Sequence, residues 1–130
     1  MEKSCGCIII KKGRVLLVYE RKAKYWGFPK GHMEEGETEV ETALREVKEE
    51  VNLKPIIYED YRYTINYTVK DNVPKEVVFF LADVDQDTVT KQDIEIEMTG
   101  WFTEKEAEKM MEFENQIQIL HKAFKDSRGL

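Results

Sequence analysis

Short apolar runs that stand between turn residues predict five β-strands along the chain. They cover residues 5–10, 15–19, 56–69, 76–83 and 94–102. Lys12-Gly13 supplies a turn between the first two strands, which predicts a hairpin, and Asp71-Asn72 supplies a second turn. We expect a bend in the third strand near Glu59-Asp60. Glycines and a proline interrupt residues 26–36, so this stretch is predicted to be a loop.

The apolar spacing lengthens to that of a helix over residues 38–51. The apolar stripe consists of Val40, Leu44, Val47 and Val51. Thr38 and Glu41 have the spacing of a capping box, in which each side chain accepts a hydrogen bond from the other residue's backbone amide. The pattern therefore predicts an amphipathic helix with a defined start.

A second capping box, Thr103 with Glu106, opens helical sequence that continues to about residue 125. A break in this helical sequence is expected near Phe113. Predicted strands outnumber predicted helices, and the two kinds of element are interspersed. This arrangement is typical of a layered α/β or α+β domain.

The length of 130 residues suits a single domain, and we expect residues 1–130 to form one. No stretch approaches the ~20 apolar residues of a membrane span, and no segment has the layout of a signal peptide. Cys5 and Cys7 are predicted to be small buried side chains in a reduced cell. These features favour a cytoplasmic protein that has no membrane partner.

Net charge disfavours one class of partner. The chain has 26 Asp and Glu against 20 Lys and Arg, which gives a net charge of −6. A protein that binds long nucleic acid needs excess cationic side chains to displace counterions from phosphates, so long nucleic acid is an unlikely partner. A small phosphorylated substrate remains compatible with this charge if a cation stands between the protein and the phosphates.

Four glutamates share one face of the first predicted helix, away from its apolar stripe. At about 100° per residue, with Glu46 at zero, Glu50 lies near ~40°, Glu39 near ~20° and Glu49 near ~300°. No lysine lies among them. A solvated acidic face is the alternative interpretation, but like charges at this spacing repel one another. Carboxylates at i, i+3 and i+4 suit Mg²⁺, so we expect a divalent cation on this face.

This helix and the loop before it resemble the Nudix box. Gly31 is followed after five residues by Glu37 and, after seven more, by residues 45–53 with the sequence REVKEEVNL. The box has Gly, five residues, Glu, seven residues, then Arg-Glu-apolar-x-Glu-Glu-x-Gly-apolar. Asn52 is the one departure, because the family has glycine there. Asparagine is the next most tolerant residue in the left-handed conformation that ends many helices.

The resemblance to the Nudix family implies an α/β fold, an α/β/α sandwich around a mixed β-sheet. It also implies hydrolysis of a nucleoside diphosphate linked to another group, with Mg²⁺ or Mn²⁺ as cofactor. The implied metal ligands are Glu46, Glu49, Glu50 and the backbone carbonyl of Gly31. Glu37 would pair with Arg45 and hold the loop against the helix. One helix glutamate could act as general base, and the spacing does not decide which one.

Residues outside the box resemble those of Nudix hydrolases that split diadenosine tetraphosphate asymmetrically. The matching segments are Ser4-Cys5-Gly6, residues 26–32, Ile65-Asn66-Tyr67, Lys75 with residues 77–82, Glu95 before Trp101, and Phe113 before Leu120. This similarity covers nearly the whole chain and thins after Lys105. It implies a small-molecule nucleotide substrate, diadenosine tetraphosphate, which would be cleaved to ATP and AMP.

Several residues outside the box are candidates for contacts with phosphate or metal. Lys30, His32 and Lys75 could contact substrate phosphates, and plain solvent exposure is the alternative for each. Glu95 or Glu97 could be a late metal ligand or a base. The resemblance favours Glu95.

Aromatic residues are candidates for binding a nucleobase. Tyr67 and Phe113 could sandwich an adenine, because aromatic faces stack on bases. Burial in the core is the more common fate of a phenylalanine, and we expect it for Phe113. His121 and the other tyrosines are interpreted as structural or exposed residues.

Three other functions stand beside dinucleotide hydrolysis. The same chemistry could act on a nucleoside triphosphate or on a 5′-triphosphorylated RNA end. A non-catalytic module could sense nucleotides, although the intact Glu46, Glu49 and Glu50 count against it. An inert domain with an acidic surface is the last alternative.

Overall fold

A computed structural model describes residues 2–130, and the elements follow in mixed order along this part of the chain. The strands are β1 Glu2–Lys11, β2 Arg14–Glu20, β3 Trp26–Gly27, β4 Lys30–His32, β5 Ile56–Val69, β6 Val73–Asp83 and β7 Ile96–Thr103. The α-helices are α1 Glu39–Val51, α2 Glu104–Met110 and α3 Glu114–Ser127. A short 3-10 turn, Lys70–Asn72, joins β5 to β6.

The strands form one mixed sheet in the order β3-β2-β1-β6-β5, with β4 paired to β1 and β7 paired to β2. Only β1 and β6 are parallel, and the other strand pairs in the described residues are antiparallel. β1 therefore pairs with β2 through its last residues, with β4 through residues 4–6, and with β6 along most of its length. Because β1 is central, it connects the loop before α1 to the rest of the sheet.

Two apolar layers cover the two faces of the sheet. One layer contains Cys5 and Cys7 of β1 with Val47 of α1, and the other contains Ile8 of β1 with Phe124 of α3. Successive β1 side chains thus point to opposite faces, as the two-residue period of a strand requires. With α1 on one face and α2 and α3 on the other, the fold is the expected α/β/α sandwich.

The predicted turns are confirmed. Lys12 and Gly13 both have positive φ, as a tight hairpin turn requires, and Ile10 pairs with Val15 across it. The expected bend in β5 is a shift of register between Tyr58 and Arg62. The two cysteines are buried and free, as predicted.

The prediction of a continuous loop over residues 26–36 is wrong in part. Trp26–Gly27 pairs with β2, and Lys30–His32 pairs with β1, so the loop adds two short strands to the sheet. These pairings join residues far apart in the sequence, which local turn propensity does not report. Between the two strands, the carbonyl of Pro29 accepts a hydrogen bond from the Cys7 amide at 3.2 Å.

The second helical region breaks where predicted, between α2 and α3. His121 of α3 joins the two helices, because its Nδ1 lies 2.7 Å from Glu104 and its Nε2 lies 3.0 Å from Glu108. Both carboxylates raise the pKa of His121. No helix among residues 2–130 combines the length and apolar character needed to cross a membrane.

Candidate functional site

Both ends of α1 are fixed by local sequence. The Thr38 hydroxyl accepts from the Glu41 amide, and the Glu41 carboxylate accepts from the Thr38 amide, so the predicted capping box is present. At the other end Asn52 has φ 55° and ψ 41°, the left-handed conformation, and its amide donates to the Lys48 carbonyl. The two caps therefore fix where the helix begins and ends, and with it the positions of its glutamates along the helix axis.

Arg45 connects α1 to the loop before it. Its Nε lies 2.6 Å and its Nη2 lies 2.9 Å from the two carboxylate oxygens of Glu37, a bidentate pair. The same guanidinium donates to the His32 carbonyl at 2.9 Å. Hydrogen bonding from Arg45 lowers the pKa of Glu37 to about 2. The expected ion pair between Glu37 and Arg45 is present, and it ties the loop to the helix.

Glu46 lies against the loop at Gly31. A Cβ at position 31 would overlap the carboxyl group of Glu46, so only glycine leaves room for this side chain. Arg45 donates to the Glu46 carboxylate at 2.8 Å. Burial nevertheless raises the pKa of Glu46, and the charges of Glu49 and Glu95 act in the same direction.

Glu50 is the most deeply buried carboxylate of the group, with 6% of its surface exposed. One of its oxygens accepts a hydrogen bond from the Lys30 amide at 3.2 Å. Burial, followed by the negative charges of Glu46 and Glu20, raises the pKa of Glu50 to about 8. The charged form of a carboxylate in this position would be stabilised by a positive charge close to it.

The helix glutamates Glu46, Glu49 and Glu50 line one open cleft of about 530 Å³ together with Glu95. Glu97, the other late candidate, instead lies 3.6 Å from Arg21. Of the two residues left open by the sequence, the structure therefore brings Glu95 to the helix glutamates. A second cleft, of about 410 Å³ beside the Lys12-Gly13 turn, contains none of the predicted site residues.

Two of the three basic candidates line the same cleft, and the charge of one of them acts on the third. Lys30 and His32 belong to β4 and line the cleft next to Gly31. Lys75 lies on β6, and burial together with the positive charge of Lys30 lowers its pKa. Because two ammonium groups repel each other, an anion that binds between them is favoured. The His32 ring is largely exposed and lies 3.8 Å from Glu2.

The aromatic candidates are Tyr67 on β5 and Phe113 between α2 and α3. Tyr67 is 44% exposed and pairs in register with Lys75. Phe113 is also 44% exposed, so the expectation that it lies in the core is wrong. It is the residue between α2 and α3 that directly precedes α3, and its ring makes an edge-on contact with Tyr25 at a centroid distance of 5.2 Å.

The acidic face of α1 is partly neutralised, contrary to the expectation that it lacks basic partners. Glu39 points away from the cleft and pairs with Lys3 at 2.5 Å and with Arg62 at 2.7 Å. Arg45 lies beside Glu49 at 3.3 Å. These cations come from other strands or from a neighbouring helix position, so a helical wheel drawn for lysines alone does not show them.

The donor set fits a divalent cation in its chemistry. Three carboxylates one helical turn apart, beside a glycine backbone and a fourth carboxylate, are the oxygen ligands that Mg²⁺ and Mn²⁺ take. Across residues 2–130, no three carboxylate, imidazole or thiol groups are already arranged around one point. Glu46 and Glu49 would have to turn from Arg45 into the cleft. The raised pKa of Glu50 is the observation that most favours a cation here.

Two cleft residues and one aromatic residue that contacts Phe113 were not found from the sequence. Glu20 and Gln92 line the cleft beside the helix glutamates. Tyr25 contacts Phe113, and burial, Glu20 and Tyr67 raise its pKa. None of them belongs to a recognisable spacing, because each reaches the site from a different loop or strand end. Only long-range pairing identifies them.

Comparisons with known proteins agree with this geometry. The domain model described as NUDIX matches residues 2–123. The chain is 32% identical over 133 residues to a bis(5′-nucleosyl)-tetraphosphatase [asymmetrical] from Rattus norvegicus, which covers 91% of this chain and 90% of that protein. It is 30% identical over 128 residues to the protein of the same name from Caenorhabditis elegans, with 92% of each covered.

A solved structure gives the same result for the fold. The structure of an Ap4A hydrolase binary complex from C. elegans superposes with a TM-score of 0.90 at 29% sequence identity, over 100% of both chains. Sequence and structure therefore place the chain in the same group of proteins.

Proposed function

The chain belongs to the NUDIX family, and from that premise we propose that it hydrolyses dinucleoside polyphosphates with the help of Mg²⁺ or Mn²⁺. In the proposed reaction, diadenosine tetraphosphate and water give ATP and AMP. One observation carries the proposal: the cleft lined by the helix glutamates and Glu95 is also lined by Lys30, whose positive charge acts on Lys75. The names of the relatives support the choice of substrate. We take residues 1–130 as one Nudix domain.

Glu46, Glu49 and Glu50 would hold the cation, with the Gly31 carbonyl as a further ligand. A cation held there would neutralise charge on the phosphates and would make a coordinated water more acidic. Arg45 would lose its bonds to Glu46 and Glu49 and would keep its bonds to Glu37 and the His32 carbonyl. Those remaining bonds keep the helix and the loop in register while the glutamates turn.

Lys30, Lys75 and His32 would bind the phosphate chain. Burial makes the charged form of Lys75 unfavourable in the free protein, and the negative charge of a bound phosphate would stabilise that charged form. Tyr67 and Phe113, with Tyr25 beside them, would hold one adenine by stacking. A base fixed at one end of the cleft leaves the other phosphates to lie over the carboxylates.

Water would attack phosphorus, and the anhydride bond between the first and second phosphates, counted from one adenosine, would break. The water oxygen ends on one product and its proton passes to a base. Glu95 is a candidate for that base, because it lines the cleft and its backbone, not its carboxylate, makes the hydrogen bonds. The helix glutamates are alternatives for this role.

Product identification tests the proposed function. The protein is incubated with diadenosine tetraphosphate and Mg²⁺, and the products are separated by chromatography. Equal amounts of ATP and AMP are expected. Two ADP molecules, or no turnover, would contradict the proposal. Faster release of pyrophosphate from a nucleoside triphosphate or an RNA 5′ end would favour that alternative, and tight nucleotide binding without product would favour a sensing module.

Glu49→Gln tests the role of the helix glutamates. The side chain is 57% exposed, so its loss should leave the melting temperature within about 2 °C of wild type. Turnover should fall by about 100-fold or more, because a charged ligand is lost. Glu59→Gln, an exposed glutamate on β5, is the matched control. Near-normal turnover in Glu49→Gln would remove this residue from the site.

A further inference from the structure

Residues 90–96 cross the end of α1 and use carbonyls that the helix leaves free. The Thr90 amide donates to the Val51 carbonyl at 3.1 Å, and the Gln92 amide donates to the Glu50 carbonyl at 2.8 Å. The last carbonyls of a helix have no partner within it, so these bonds satisfy an existing need. They also fix the distance between this segment and the glutamates of α1.

The Gln92 side chain closes the segment on itself. Its Oε1 accepts a hydrogen bond from the Glu95 amide at 2.6 Å, and its backbone carbonyl accepts from the Ile96 amide at 3.0 Å. From the other side, the Arg21 amide donates to the Glu95 carbonyl at 2.8 Å. Both backbone polar groups of Glu95 are therefore bonded, which orients its side chain.

This orientation decides which acidic residue faces the cleft. Glu95 lines the cleft and its charge acts on Glu46, whereas Glu97 faces Arg21. Glu95 lies in an exposed turn before β7, where its side chain makes no hydrogen bond among the described residues that would hold it. Its position therefore depends on its own backbone, whose amide is held by the Gln92 side chain and whose carbonyl is held by the Arg21 amide.

We propose that Gln92 is a positioning residue for the reaction: its carboxamide holds Glu95 over the cleft, in line with the glutamates of α1. The inference rests on the proposed function, because it assumes that Glu95 takes part in hydrolysis. Gln92 itself touches no reacting atom. Loss of its acceptor should therefore act only through Glu95.

A double-mutant cycle tests this dependence. Gln92→Met removes the acceptor and keeps the length of the side chain, Glu95→Gln removes the carboxylate, and the double variant combines them. Glu95→Gln is expected to lower kcat by about tenfold or more, and Gln92→Met by about fivefold to tenfold with KM within twofold, since small misplacements of a reacting group are costly. The double variant should match Glu95→Gln, because residues that act as a unit are not additive.

Two controls separate positioning from folding. Gln92→Glu keeps an acceptor oxygen and should retain at least a third of wild-type kcat, while Gln118→Met makes the same change at an exposed position of α3 and should have no effect. Wild-type rates in Gln92→Met or in Glu95→Gln, or fold losses that multiply in the double variant, would overturn the inference. Failure of Gln92→Glu to restore kcat would also overturn it.

Amide hydrogen exchange in the wild-type protein gives a readout that needs no variant to fold. The Glu95 amide should exchange more slowly than the neighbouring exposed Ile94 amide, because it donates to Gln92. Equal exchange would overturn the inference even if every variant behaved as expected. The cycle uses whichever nucleotide the wild-type protein turns over, so an incorrect choice of diadenosine tetraphosphate and an incorrect role for Gln92 give different results.

Discussion

Replacement of Glu50 by glutamine should stabilise the metal-free protein. Burial raises the pKa of Glu50 from 4.5 to about 8, so its charged form is unfavourable in the folded state. For a carboxyl group whose pKa is raised on folding, stability is lost as pH rises from the unfolded pKa towards the folded one. Glutamine has no charge to bury, and it keeps an oxygen that can accept from the Lys30 amide.

The size of the effect follows from the shift in pKa. Each pH unit between 4.5 and 8 costs the wild-type protein about 1.4 kcal/mol, which gives about 3 kcal/mol at pH 7 and about 5 kcal/mol above pH 8. Glu50 is only 6% exposed, so solvent screens little of this cost. A gain of about 3 kcal/mol corresponds to roughly 10 °C in melting temperature for a domain of this size.

Urea unfolding in the presence of a chelator measures this prediction. Glu50→Gln should be as stable as wild type near pH 4.5 and should become progressively more stable than wild type up to pH 8. Glu59→Gln, an exposed change, should track wild type at every pH. Mn²⁺ should then stabilise wild type more than Glu50→Gln, because the ligand charge is present only in the former. Equal stability of Glu50→Gln and wild type at pH 8 without metal would show that the buried charge of Glu50 does not destabilise the folded protein.

Other predictions concern the loop, the phosphate site and the helix pair. Gly31→Ala should displace the Glu46 carboxylate and lower kcat at least about tenfold, with a change in unfolding free energy under about 1 kcal/mol, because its added carbon meets only the end of a side chain. Lys75→Met should raise KM for the dinucleotide by about tenfold, and Lys70→Met, on the nearby turn, should leave it unchanged. His121→Gln should lower the melting temperature at pH 6 and have little effect at pH 9, because the stabilisation is present below the unfolded pKa and is lost as pH rises through the raised pKa of His121.

Each of these has a contrary outcome. Normal kcat in Gly31→Ala would mean that the Glu46 carboxylate need not lie against the loop. An unchanged KM in Lys75→Met would remove that lysine from the phosphate site. Equal melting temperatures of His121→Gln and wild type at pH 6 would mean that the charged imidazole does not join α2 to α3.

Elements with local causes could be predicted from the sequence. The start of α1 depends on Thr38 and Glu41, three residues apart, and its end depends on the left-handed Asn52. The pair of Glu37 and Arg45, eight residues apart, was implied by the resemblance to the Nudix box. These interactions join residues that are close in the sequence, so the order of residue types is enough to predict them.

Features with long-range causes could not be predicted in the same way. The two short strands in residues 26–36 exist because β1 and β2 present free edges to them. Glu39 shares a helix face with Glu46, yet Lys3 and Arg62 hold it away from the cleft. Phe113 is a typical core residue by type, but it stands at the start of α3, where the sheet does not cover it.

Anomalous diffraction from a crystal soaked with Mn²⁺ and a non-hydrolysable dinucleoside tetraphosphate tests most directly whether the edge of α1 binds metal. The account predicts an anomalous peak within about 2.5 Å of carboxylate oxygens of Glu46, Glu49 and Glu50, with phosphate oxygens on the opposite side of the peak. Ordered nucleotide in the cleft without an anomalous peak beside these glutamates would contradict it.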